Sequence, residues 1–193
     1  MKKIISVLLF LFIYISVQSQ EIGIRVEYDY ASNKFSNGIR FSPFVGFNVS
    51  TKWQIDLQLD FTQFWYNSSD NSGNVLIEES AMFGCIGFGA DALYQAIPLN
   101  HNQSLVIGLG AKLSFFAQPT SIFSSEYKRL TRPEIRMPLL YNTGKIGSSN
   151  WGMKMGLVPG YMFSPFAEPV SSSVFFEGFF YVGAQWAVYY SFN

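Results

Sequence analysis

With 193 residues, 13% of them charged and 18% aromatic, the chain is too rich in ring side chains to be disordered and long enough for one domain with a substantial core. The charged share is about half the roughly 25% of ordinary soluble domains, which argues against a surface built wholly to face water. Formal charge is zero at pH 7 with no basic stripe, so nucleic acid is not an expected partner.

The first segment, residues 1–19, reads as an export signal. Lys2 and Lys3 precede an apolar run from Ile4 to Val17, and Val17 and Ser19 are small enough for the −3 and −1 positions of a cleavage site. The run is shorter than the roughly 20 residues a spanning helix needs, and polar Gln18, Ser19 and Gln20 follow at once. Without Lys2 and Lys3 the 13 basic side chains become 11 against 13 acidic ones, a mature net charge of −2 over residues 20–193. Cys85 is the one cysteine, so no intrachain disulfide can form despite the oxidising destination.

From residue 21 onward the chain alternates apolar and polar side chains, and a period of two is the mark of a strand. In "EIGIRVEYDY", Ile22, Ile24, Val26, Tyr28 and Tyr30 share one face, opposite Gly23, Arg25, Glu27 and Asp29. In "IRFSPFVGFNVS", Ile39, Phe41, Val45, Phe47 and Val49 oppose Arg40, Ser42, Gly46 and Asn48. A turn at Thr51-Lys52 leads into "WQIDLQLDF", where Trp53, Ile55, Leu57, Leu59 and Phe61 oppose Gln54, Asp56, Gln58 and Asp60. The stretch "NSSDNSGN", residues 67–74, is a loop by composition. "AMFGCIGFGADALY" and "SLVIGLGAKLSFF" follow, separated by the turn "IPLNHNQ", with Cys85, Gly87, Gly89, Asp91, Gly108, Gly110, Lys112 and Ser114 on the polar faces. A polar segment, 118–131, precedes a weaker strand "PEIRMPLLYN"; a turn at 142–150 leads to "GMKMGLVPGYMF", and "FYVGAQWAVYYSF" closes the chain. Eight strands, joined alternately by longer polar loops and shorter turns, predict an all-β fold: an eight-stranded antiparallel transmembrane barrel of up-and-down order. Pro43, Pro138 and Pro159 each predict a bulge or a strand end, because proline cannot donate to the ladder.

The polar faces carry Arg25, Arg40, Lys112, Arg136 and Lys154 with Glu27, Asp29, Asp56, Asp60, Asp91 and Glu134. Converging in one lumen, these charges would pair with one another, which is what makes buried charge tolerable. The interleaved glycines (Gly23, Gly87, Gly89, Gly108, Gly110, Gly183) would make room for long Arg and Lys side chains. Trp53, Trp151, Tyr189, Tyr190 and Phe192 gather at one set of strand ends, and Tyr28, Tyr30, Phe64, Trp65, Tyr66, Phe115, Phe116, Phe179 and Phe180 at the other. Two aromatic girdles at the two headgroup levels are the expectation for a membrane barrel. A soluble lipocalin-like barrel, with the aromatics filling a core or ligand cavity, is the competing arrangement.

This pattern resembles the small outer-membrane β-barrel proteins of Gram-negative bacteria, of the OmpX- and OmpA-like kind, and among them the PorT-like barrels of bacteria with type IX secretion. The local match lies in "IRMPLLYNTG" and "GLVPGYMFS", where Pro138, Leu139, Leu140, Gly156 and Pro159 fit the PorT-like pattern and Tyr161 comes one residue early. The final strand ending in Phe192 resembles the signal read by the barrel-insertion machinery, with Asn193 displacing the aromatic from the last position. The resemblance implies an outer-membrane location and, more weakly, an accessory role in an envelope or secretion assembly.

Chemistry is not expected; the alternative, a lipid-modifying barrel enzyme, would need His101 near the outer leaflet beside a Ser and a carboxylate. His101, the one histidine, lies in the turn "NHNQS" with Ser104 nearby, and adjacency in a turn does not make a catalytic pair. Cys85 has no evident base, and Asp56 and Asp60 face enough cations to be structural. No metal spacing or phosphate loop is present, and no cofactor is expected. An eight-stranded interior is only wide enough for its own side chains, so an open pore is not expected either. Binding would then fall to the loops, with Tyr127, Lys128 and Arg129 the candidate contact. Membrane lipid, lipopolysaccharide and an envelope protein are the expected partners.

Overall fold

Each alternating stretch forms a strand in the computed structural model of the protein, which describes residues 20–31, 35–68, 79–99, 102–116, 130–164 and 178–192. The strands are β1 (Glu21–Ala31), β2 (Phe35–Asn48), β3 (Trp53–Ser68), β4 (Glu79–Pro98), β5 (Ser104–Phe116), β6 (Leu130–Arg136), β7 (Leu139–Lys145), β8 (Trp151–Met162) and β9 (Phe179–Ser191). All pairings are antiparallel. β1 pairs with both β2 and β9, and β4 pairs with β5, so the sheet closes on itself and leaves no free edge.

β6 and β7 are two halves of one barrel strand. Both lie between β5 and β8, and the register does not slip between them: Arg136 faces Gly110 and Gly160, while Leu139 faces Ile107 and Leu157. The interruption falls at Met137-Pro138, where proline has no N–H to give. The ladder continues across it, because the Gly108 N–H donates to the Pro138 carbonyl and the Met137 N–H to the Pro159 carbonyl, each at 2.8 Å. The barrel is therefore an all-β, eight-stranded antiparallel closed barrel, as expected from the alternation. Pro138 marks a strand break as predicted, whereas Pro43 and Pro159 lie within β2 and β8 and keep their places in register opposite Ile24 and Val182.

Three short connections and both ends of the barrel, Gln20 and Phe192, lie at one rim, the turn rim. At residues 49–52 the Ser50 hydroxyl accepts from the Trp53 N–H at 3.1 Å. The turn expected over 142–150 is tighter, since β7 runs on to Lys145. It is made possible by Gly144 and Gly147, both at positive φ, and is closed by the Ile146 N–H donating to the Trp151 carbonyl. The Phe192 N–H donates to the Gln20 carbonyl at 2.9 Å and so ties the two ends of the barrel together. The opposite rim leads into residues 32–34, 69–78, 117–129 and 165–177. Tyr127, Lys128 and Arg129, like His101 and the 1–19 segment, lie outside the described residues.

Burial along the strands inverts the pattern of a water-soluble sheet. In β9, Phe180, Val182, Trp186 and Val188 are exposed, while Phe179, Tyr181, Gln185, Ala187 and Tyr189 are buried. In β1, Arg25, Glu27 and Asp29 have no exposed surface, whereas Ile24 is 50% exposed. The charged side chains are inside the barrel and most aliphatic ones outside; the exception is an inward aliphatic cluster of Leu93, Val106, Leu140 and Val158.

Candidate functional site: a charged barrel interior

Strict alternation aims every second side chain inward, and closure brings those side chains from all walls to one axis. Near the turn rim Lys154 from β8 reaches Glu21 at 2.9 Å and Asp56 at 3.7 Å. Gln54 donates to both of those carboxylates at 2.7 Å. Deeper, Arg25 joins Asp56 at 3.0 Å and Asp91 at 2.8 Å, so β1 is bound to β3 and β4 through the interior. Arg136 grips Asp91 with two parallel bonds, from Nε at 2.8 Å and from Nη2 at 2.6 Å, and reaches Glu27 at 2.9 Å. This fork is the geometry in which an arginine–carboxylate pair is strongest. The Gln58 side-chain oxygen sits between the two guanidinium groups and accepts from both.

Toward the opposite rim Arg40 bridges Asp29 at 3.0 Å and Glu134 at 2.8 Å, and Tyr181 donates to Glu134. Lys112 meets Asp60 at 2.9 Å, and Ser42 donates to the same carboxylate. Arg132 lies beyond, its guanidinium over the Phe179 ring at 5.2 Å and its Nε donating to the Phe163 carbonyl. All eleven charged residues assigned to the lumen from sequence are thus brought into one connected region. Arg25, Glu27, Asp29, Asp56 and Asp91 have no exposed surface at all, so the interior is filled at their level rather than open to water.

Sequence reasoning missed several members. Glu21 and Arg132 are buried in the interior; Glu21 shares the inward parity of Gly23 and Arg25, a signal the sequence does carry, whereas Arg132 precedes the expected start of its strand at Pro133. Phe44, Tyr181 and Tyr189 are large aromatic residues that also face inward. The Phe44 ring lies under both Arg25 (5.0 Å) and Lys154 (5.5 Å), and Tyr189 lies 4.9 Å from the Lys154 ammonium. These rings lend their negative faces to buried cations. Tyr189, assigned to the turn-rim girdle from sequence, therefore belongs to the lumen, and its hydroxyl donates to Asn142 at 2.9 Å. Phe64 and Phe179, assigned to the opposite girdle, also turn inward and meet edge-to-face at 6.2 Å. Parity decides each case: all three share a face with the polar residues of their strands.

Outside, the remaining girdle residues fall into two belts. Trp53 contacts Tyr94 at 4.9 Å, Trp151 contacts Tyr190 at 5.3 Å, and Tyr190 contacts Phe192 at 5.3 Å, all near the turn rim. Tyr161 contacts Phe180 at 4.6 Å and Phe163 at 4.9 Å near the other rim, where Tyr30 is also exposed and Tyr28 lies one outward position deeper. Trp65 and Tyr66 belong to β3 at this rim, and their side chains lie outside the described residues. From Trp151 to Tyr161 the strand climbs about 34 Å along its own axis, or roughly 26 Å along the barrel at a tilt of about 40°.

Glycines set how closely the interior can fill. Gly152 and Gly160 stand directly across from Tyr189 and Tyr181, and a Cβ on either would lie within 2.4 Å of the facing ring. At Gly110 a Cβ would lie 2.0 Å from Asp91 Oδ1 and 3.0 Å from Arg136 Cγ. Gly110→Ala should therefore displace the Asp91–Arg136 fork and destabilise the barrel by about 1–3 kcal/mol, the usual cost of overpacking. The urea midpoint of the folded band on an unboiled gel reads this directly.

Among the described residues, those considered for chemistry do not assemble. Ser104 is buried at the turn-rim mouth, in a polar cavity of about 150 Å³ shared with Glu21, Gln54, Asn102 and Asn142. Cys85 is buried on the inner face of β4. Asp56 and Asp60 serve different cations, Arg25 with Lys154 and Lys112 respectively. Among the described residues no group of three or more His, Cys, Asp or Glu side chains is arranged to hold a metal ion.

No protein-family model matches the sequence, and no curated protein matches it. Among solved structures, the chain is similar to Neisserial surface protein A, with a TM-score of 0.56 at 11% sequence identity over 89% of this chain and 96% of that one. The likeness is one of fold: a small, closed, eight-stranded barrel of outer-membrane type.

Proposed function

We propose that the protein is a non-enzymatic β-barrel of the outer membrane, exported by a signal over residues 1–19, whose filled interior is structural and whose loops do its binding. The observation that carries this reading is the inverted sheet. An interior held together by ion pairs is enclosed by a wall on which Ile24, Phe61, Ile86, Phe88, Leu109 and Trp186 are 47–67% exposed. Exposed apolar surface on this scale is ordinary against lipid and a liability in water. The aromatic belts, spaced at about the height of the roughly 25 Å apolar band of such barrels, support the same reading. The soluble alternative requires an apolar interior able to hold a ligand, and the charged lumen argues against it.

The finer assignment, a PorT-like accessory of a type IX secretion or other envelope assembly, rests on the Pro138-Leu139-Leu140 and Gly156–Pro159 motif. In the barrel that motif forms the β7–β8 hairpin beside the strand break. Tyr127, Lys128 and Arg129 are proposed to meet lipopolysaccharide phosphates or an envelope partner.

The test is a heat-modifiability gel on the detergent-extracted outer-membrane fraction. A band that migrates differently before and after boiling, recovered in that fraction, is the expected result. Recovery from the soluble periplasm without a shift would overturn the reading.

A further inference from the structure

Among the buried residues described, six cations (Arg25, Arg40, Lys112, Arg132, Arg136, Lys154) face seven carboxylates (Glu21, Glu27, Asp29, Asp56, Asp60, Asp91, Glu134). The described interior is thus short of one positive charge, and the geometry locates the shortfall. Glu27 and Asp29 are successive inward residues of β1, neither with any exposed surface. Each gives one oxygen to an arginine: Glu27 Oε2 to Arg136 at 2.9 Å, and Asp29 Oδ2 to Arg40 at 3.0 Å. Neither arginine is theirs alone, since Arg136 also holds Asp91 and Arg40 also holds Glu134.

The second oxygens, Glu27 Oε1 and Asp29 Oδ1, receive no donor from any other side chain. They converge above Gly183, where a Cβ would stand 2.5 Å from one and 2.7 Å from the other. The two carboxyl groups lie within hydrogen-bond reach of each other. Across the ladder from Glu27 stands Gln185, 1% exposed, with both atoms of its amide unpartnered. Two ionised carboxylates cannot share such a contact in a dry interior, because like charges at hydrogen-bond distance repel and neither oxygen can donate. An added proton supplies both the missing charge and the missing donor.

We propose that Glu27 and Asp29 form a proton-binding site, holding one proton between them as a carboxylic acid–carboxylate pair at neutral pH. The groups around the pair are Arg40 from β2, Lys112 from β5, Glu134 and Arg136 from β6, and Tyr181 from β9. The pair titrates as a unit, so the proton belongs to neither residue alone.

Infrared spectroscopy of the full barrel purified in detergent at pH 7 tests this, because an un-ionised carboxylic acid absorbs apart from ionised carboxylates and shifts in heavy water. One un-ionised acid per chain is expected in the wild type. It should be lost in Asp29→Asn and in Glu27→Gln, whose amides can donate the same hydrogen bond, and retained in Asp60→Asn; the gel shift shows that each variant is folded. The wild-type spectrum alone keeps the idea falsifiable if a variant fails to fold. Absence of the band from the wild type, as a pair bridged by a bound cation would give, overturns the proposal, and so does a band that survives both folded substitutions.

Discussion

Replacing Arg136 by alanine should destabilise the barrel by about 3–5 kcal/mol, the range for removing one partner of a buried ion pair. Arg136 has no exposed guanidinium surface, and it makes two bonds to Asp91 and one to Glu27. Its loss strands two carboxylates where no water reaches them, and Arg25 alone cannot compensate both, being already shared between Asp56 and Asp91. The destabilisation comes from the charges left behind more than from the bonds removed. Arg136→Ala combined with Asp91→Asn should therefore be less damaging than the two single effects added together. Urea titration of the folded band for the two single variants and the double variant closes the cycle. Strict additivity would show that the fork seen here does not couple the residues.

Leu109→Arg should cost about 2–4 kcal/mol when the barrel is folded into lipid vesicles, as expected for a cation at the bilayer midplane. Leu109 is 67% exposed and lies midway along β5, opposite Ala92, so its side chain points away from the lumen. In water the same substitution at an exposed leucine stays within about 0.5 kcal/mol of neutral. The contrast makes this residue a probe of the solvent around the wall, independent of where a fraction is recovered. Thr51→Arg, in the exposed turn between β2 and β3, is the matching control and should be close to neutral in vesicles. Equal, small effects at both positions would mean that the outer wall meets water, and the membrane reading would fail.

The alternation alone specified which side chains share a face, and it did so reliably for β1, β3, β5 and β9. Arg25, Glu27 and Asp29 stand two residues apart, and on an extended chain they have no choice but to point the same way. Residue type misleads where it conflicts with parity. Tyr189, Phe64 and Phe179 were placed in girdles because they are aromatic and near strand ends, yet their parity puts them inside. Each is accommodated by a neighbour's lack of bulk or by a ring partner: Gly152 faces Tyr189, Gly38 lies beneath Phe64, and Phe64 meets Phe179. Arg132 falls between the polar segment 118–131 and the strand expected from Pro133, because β6 begins earlier, at Leu130, than its polar composition suggests.

What sequence by itself determined was a chain of alternating strands, too poor in charge for an ordinary soluble surface, with eleven named charges on one face and an aliphatic wall on the other. Those are properties of residue type and period, and they need no knowledge of where any strand lies. Who pairs with whom was decided only by closure of the barrel. Arg136 meets Glu27 across 109 residues and Arg40 meets Glu134 across 94, separations that no local spacing encodes. Strand tilt and register set which inward residues share a level, and at that level the oxygens of Glu27 and Asp29 are left facing each other over Gly183 with no donor between them.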